Sequence, residues 1–215
     1  MITLLPFVFA LLISFAADAQ YEQAMVSTLT QLDSVQTAEQ YQAVANRFTR
    51  IARAEKQEWL PWYYASYAQL AAASQSEGVE ATDAGLAQSQ VYLDSARLLE
   101  QGNAELVAMQ GYIYMLQVAV DPGSRGQELS PQAIQTLSRA VAMDKSNPRA
   151  LTLLGRMQYG TAQFFGSDTS ESCRLFEAAV AAYEKEAQQE RGILPTWGSG
   201  MARYMVQQCS GVAEK

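Results

Sequence analysis

The chain has no histidine, only two cysteines and six prolines in 215 residues, and just 17% of it is charged. Each shortage excludes something. Without histidine there is neither the usual general base near neutral pH nor the commonest metal ligand. Cys173 and Cys209 lie 36 residues apart and cannot complete a four-ligand zinc site by themselves. No glycine-rich phosphate loop occurs, since "GYIYM" and "GSGMARY" lack both the spacing and the lysine. Carboxylate pairs such as Glu184 and Glu186 sit in a charged helix end, the pattern of a solvated surface rather than an acid and base couple. No enzymatic activity, metal or cofactor is expected. Basic clusters are also missing from this acidic chain, which sets aside nucleic acid and anionic membrane surfaces as partners.

Alanine, glutamine and leucine dominate what remains, and no long run alternates β-branched residues, so the composition predicts an all-α protein. The opening "MITLLPFVFALLISFAADA" reads as a secretory signal: an apolar run from Leu4 to Ala16, then small residues at Ala17 and Ala19. Cleavage is expected between Ala19 and Gln20. The n-region has no Lys or Arg, so the α-amino group supplies its positive charge. The run is too short for a comfortable membrane span, and no cysteine follows it to carry a lipid. Residues 1–19 are thus a leader and 20–215 the mature domain, which carries 21 acids against 15 bases and a net charge of −6. It is expected to be exported, periplasmic or secreted, without membrane insertion after cleavage.

Start and stop signals divide the mature chain into about nine helices. They are expected near Glu22–Asp33, Thr37–Lys56, Pro61–Ser76, Asp83–Gln101, Ala104–Val120, Ser130–Met143, Arg149–Phe164, from "SDTSES" to Gln189, and from "RGILPTW" to Cys209. Thr37 with Gln40 makes a capping box, and Ser130 with Pro131 an N-cap followed by proline at the first helical position. Short polar turns imply antiparallel hairpins. The hairpins repeat: "ARLLEQGNAELVAMQGYIYM" aligns without a gap on "AVAMDKSNPRALTLLGRMQY", and Ser66, Gly111, Gly155 and Met201 recur at intervals of 45, 44 and 46 residues. Such a period marks a helical solenoid.

The units resemble the tetratricopeptide repeat. Bulky, small and aromatic positions of a first helix are filled by Trp62, Ser66 and Gln69, then Val107, Gly111 and Tyr114, then Leu151, Gly155 and Gln158, then Trp197, Met201 and Tyr204. Small, bulky and small positions of a second helix are filled by Ser89, Leu93 and Ala96, by Ala133, Leu137 and Ala140, and by Ser172, Phe176 and Ala179; Val44, Phe48 and Ile51 match less well. The family's fifteen-residue step between helices recurs from Ile51 to Ser66, Ala96 to Gly111 and Ala140 to Gly155. Departures are the longer period, Gln69 and Gln158 at aromatic positions, and Met201 at a small one. The spacing alone also admits a HEAT-like solenoid. The resemblance implies a right-handed α-solenoid similar to exported tetratricopeptide-like proteins of bacteria.

It also implies a concave face lined by Tyr63, Tyr67 and Leu70, by Ala108, Tyr112, Met115 and Leu116, and by Thr152, Arg156 and Tyr159, with Arg149 beside them. Tyrosines bury area while keeping a polar tip, and Arg149 with Arg156 suits a carboxylate. The expected function is a scaffold that holds a protein or extended peptide in an open groove; the alternative is an accessory protein for a small molecule or glycan in a capped pocket. In "EWLPWYYASY" the repeat spacing assigns Trp62 and Ser66 to the core, Tyr63 and Tyr67 to the groove, and Tyr64 to a covered position. Finally, Cys173 and Cys209 each lie 18 residues from Arg191, so antiparallel last helices would set them side by side as a disulfide. Two buried free thiols are the other reading.

Overall fold

The computed structural model describes residues 5–212, with side chains from 19 to 211. Among the described residues there are nine helices and no strand. They are α1 (Leu5–Leu32), α2 (Ala38–Ala54), α3 (Leu60–Ser74), α4 (Val79–Leu99), α5 (Ala104–Val120), α6 (Pro122–Met143), α7 (Pro148–Phe165), α8 (Ser170–Glu186) and α9 (Ser199–Val212). Each helix packs on its successor, and α5 also touches α3 and α7, so alternate helices line one side of a stack of hairpins. The protein is an all-α solenoid. The leader, 1–19, lies almost wholly outside the residues with described side chains. No helix among the described residues is long and apolar enough to cross a membrane.

The small and bulky positions interlock between helices. A Cβ at Gly111 would overlap the Leu137 side chain, and one at Gly155 would lie 2.6 Å from Cε1 of Phe176, so only glycine lets α5 meet α6 and α7 meet α8 this closely. In the preceding hairpin two serines fill the same place, with the Oγ atoms of Ser66 and Ser89 2.9 Å apart in the core. Thr37 caps α2 as a complete capping box with Gln40. Cys173 and Cys209 form a disulfide that ties α9 to α8.

Several boundaries differ from those read in the sequence; α4, for one, starts at Val79 instead of Asp83, and α8 ends at Glu186 instead of Gln189. α6 starts at Pro122, not after a cap at Ser130: the Asp121 carboxylate accepts from the N–H and hydroxyl of Ser124, a cap that begins the helix nine residues early, and Pro131 falls inside it. α1 runs back through the predicted leader to Leu5 instead of starting near Glu22. α9 starts at Ser199, so Trp197 precedes the helix. In α9 it is Ala202 and Met205 that are buried, whereas Met201 and Tyr204 are exposed, which moves the last unit's packing stripe by one residue.

Candidate functional site

The twelve residues between α8 and α9 decide the character of the inner face. They run from Ala187 to Gly198 and fold back over α3 and α5 instead of leading straight into the last helix. The Tyr64 hydroxyl donates to the carbonyl of Ile193 at 2.9 Å, and the Tyr183 hydroxyl to the carbonyl of Trp197 at 2.9 Å. Gly198, with φ +103°, brings the chain against Tyr183, whose hydroxyl any Cβ here would overlap. The Trp197 indole then lies between two tyrosines, stacked at 4.6 Å on Tyr67 and at 5.9 Å on Tyr112. The concave face is therefore capped by the chain itself.

Beneath the cap a hydrogen-bonded chain runs into the core. Nε1 of Trp197 donates to the Tyr63 hydroxyl at 2.9 Å, and that hydroxyl donates to Oε2 of Glu105 at 3.1 Å. The other Glu105 oxygen accepts from Nε of Arg149 at 2.7 Å and from Nδ2 of Asn147 at 3.0 Å. The Arg149 guanidinium, 1% exposed, closes a fork on Glu186 at 2.7 and 3.0 Å, and Arg191 of the cap reaches the same carboxylate at 3.2 Å. Burial pushes the Glu105 carboxyl above the ordinary carboxylate range, and its bonds from Arg149 and Tyr63 pull the other way. Burial also works against the charge of Arg149, but Glu186 and Glu105 outweigh it and hold the guanidinium charged.

A cavity of about 380 Å³ lies between the α1–α2 turn and the cap. Leu29, Val35, Tyr41, Tyr67, Leu194 and Trp197 are among its walls. Val26 and Leu194 at its edge are 48% and 41% exposed. Burial drives the Tyr67 phenol far above its usual pKa, with the neighbouring Tyr112 and Tyr41 adding to the effect, so its hydroxyl stays protonated. The site offers stacking surfaces and apolar walls together with several hydroxyls and the carboxylate of Asp33.

The residues expected on the concave face are placed as follows. Tyr67 and Tyr112 flank the cap, and Tyr67 lines the cavity. Tyr63 is fully buried and Arg149 is committed to two carboxylates, so neither is free to meet a ligand; the cap covers their stripe. Met115 is buried among Ala133, Leu137 and Leu154. Tyr159 packs edge-on against Phe176 beneath the disulfide. Arg156 is half-buried and lines none of these features. Trp62, expected in the core, is half-buried against Tyr92, while Tyr64 is covered as expected, stacked on Phe48 at 5.2 Å. The residues the sequence reading missed are Tyr41, Glu105, Leu194 and the cap position of Trp197. One signal for the cap was present: "GILPTWG" is apolar yet broken by proline and glycine, and an apolar segment that cannot be helical needs something to cover it.

No family model, that of the tetratricopeptide repeat included, and no curated protein matches the sequence. Among solved structures the chain is similar to the HusA haemophore from Porphyromonas gingivalis, at TM-score 0.80 and 25% identity over 91% of this chain and 95% of that one. This finding and the cap together correct the expected partner. A protein or extended peptide lying in an open groove does not fit a groove filled by residues 187–198 in a chain that resembles a haemophore.

Proposed function

We propose that this protein is an exported small-molecule carrier whose cargo is a flat, largely apolar macrocycle of the porphyrin class, haem included. The observation that carries the reading is the pocket framed by Tyr41, Tyr67, Leu194 and Trp197, at about 380 Å³ within the usual range of small-ligand sites. The likeness to a haemophore supports it. A cavity of this size takes one edge of a macrocycle against its aromatic and apolar walls, leaving the rest of the ring and its carboxylate substituents toward water. The hairpins act as a rigid tetratricopeptide-like frame, so little ordering entropy is lost on binding.

The residues present also define how the cargo is held. The chain has no histidine and both cysteines are joined, so the iron of a haem has neither of those ligands available. Burial opposes loss of the Tyr67 proton, which weighs against that residue as a phenolate ligand. The macrocycle, not its metal, is what the protein grips. The disulfide, with the expected leader, supports an oxidising compartment outside the cytoplasm, periplasmic or secreted.

Absorbance titration with haem and with iron-free protoporphyrin IX tests this. Both are expected to saturate at one per chain, with affinities within about tenfold of each other and both weakened by Tyr67→Ala. No saturable binding of either, or binding that requires the iron, overturns the reading.

A further inference from the structure

A second groove, of about 740 Å³, lies between α2 and α4 with α3 as its floor, and shares no lining residue with the aromatic pocket. Its chemistry is different. Four amide side chains, Gln42, Asn46, Gln69 and Gln88, line it with the ring of Tyr92 and the carboxylate of Glu39. Every other lining residue is alanine, glycine or serine, and none is Lys or Arg. Gly85 keeps the floor low: a Cβ there would lie 2.6 Å from that of Ala73.

Gln69 is the informative residue. It holds the place where the repeat resemblance calls for an aromatic, is only 5% exposed, and its Oε1 has no hydrogen-bond donor. An unsatisfied buried polar group costs about 1–3 kcal/mol, a cost that an aromatic or leucine here would not carry. The terminal amide torsion is soft, and a half-turn exchanges the oxygen with the N–H2 group, so the carboxamide can offer a donor or an acceptor on the groove side.

We propose that this groove binds a neutral saccharide. Amides donate and accept at the same end, which matches hydroxyl groups that do both. The Tyr92 ring, supported behind by Trp62 at 6.0 Å between centroids, gives a platform for the C–H face of a sugar ring. Absence of cations together with Glu39 disfavours phosphorylated or sulfated ligands. Walls of alanine and serine provide no pockets for the alternate side chains of an extended peptide.

The test is titration of the intact oxidised protein with chitotetraose and with maltotetraose, followed by backbone NMR, with a sulfated chondroitin tetrasaccharide as the charged control. At least one neutral tetrasaccharide is expected to saturate with Kd on the order of 0.1–1 mM and to shift resonances of α2 and α4. Tyr92→Ala and Gln69→Leu should each weaken it about tenfold or more. Gln158→Leu, the same change at the equivalent repeat position, where Oε1 also lacks a partner, should leave it unchanged. Gln69→Leu removes an orphaned polar group, so its thermal stability should equal or exceed wild type, separating lost binding from lost folding. The proposal is overturned if neither neutral sugar saturates by about 10 mM, if the sulfated control binds more tightly, or if both variants bind as wild type.

Discussion

Trp197 and Tyr63, 134 residues apart in sequence, share a hydrogen bond of 2.9 Å in which the indole N–H donates to the phenol oxygen. That bond joins the cap to the buried cluster of Glu105, Arg149 and Glu186, and thereby ties the segment after α8 to α3 and α5. The aromatic pocket inherits its shape from this connection, because the same Trp197 ring forms its wall.

Arg149 is the centre of that cluster. Arg149→Ala leaves Glu105 largely buried without a cation and Glu186 with Arg191 alone, and is expected to cost about 3–5 kcal/mol. Arg149→Lys keeps the charge but cannot fork onto Glu186 while also reaching Glu105, so it should lose less. Urea denaturation midpoints measure both, and an Arg149→Ala midpoint equal to wild type would contradict the assignment.

Gly155 lets α7 lie against Phe176. Gly155→Ala is expected to destabilise by about 1–3 kcal/mol through overpacking, despite the better helix propensity of alanine. Adding Phe176→Leu should recover part of that loss, because the shorter side chain leaves room for the new methyl. A double-mutant cycle in thermal unfolding reads the coupling.

How far the sequence carried this is clear from these two residues. Gly155 and Gly111 were legible as small positions and Phe176 and Leu137 as bulky ones, but which meets which was not, because 21 and 26 residues separate the pairs across hairpin loops of unequal length. Arg149 was legible only as a cation near a groove. Its carboxylate partners come from Glu105 and Glu186, 44 and 37 residues away, and no local pattern brings those together. The cap was misread for a related reason: a repeat pattern extends best through helices, and residues 187–198 are the part of the last unit that is not helical. The α6 boundary was lost to competition between two good caps, Asp121 and Ser130, of which the first extends the helix by two more turns.

The disulfide holds α9 to α8 across a loop of 36 residues. Replacing Cys173 and Cys209 with serine is expected to lower stability by about 2–4 kcal/mol, chiefly by freeing the unfolded chain. The non-reduced protein should weigh two protons less than the reduced one. An unchanged mass after reduction would remove the bridge from the account.

Asp83 of α4 pairs with Arg125 of α6 through two bonds of 2.7 and 2.6 Å, and this bonding holds the carboxyl below its ordinary pKa. A depressed carboxyl contributes stability that is fully present above its unfolded pKa and is lost as pH falls through the folded value. Thermal unfolding should therefore show wild type more stable than Asp83→Asn at neutral pH, with the gap closing below about pH 4. A gap that widens on acidification would have the wrong sign.

The central claim is that a porphyrin sits against Trp197 under the cap. Proton–nitrogen correlation spectra during titration with diamagnetic zinc protoporphyrin IX test it most directly. The account predicts that the Trp197 indole resonance and the backbone amides of Gly192, Leu194 and Thr196 shift together and saturate at one ligand per chain. Saturable binding that moves other parts of the protein and leaves those four resonances in place would contradict it.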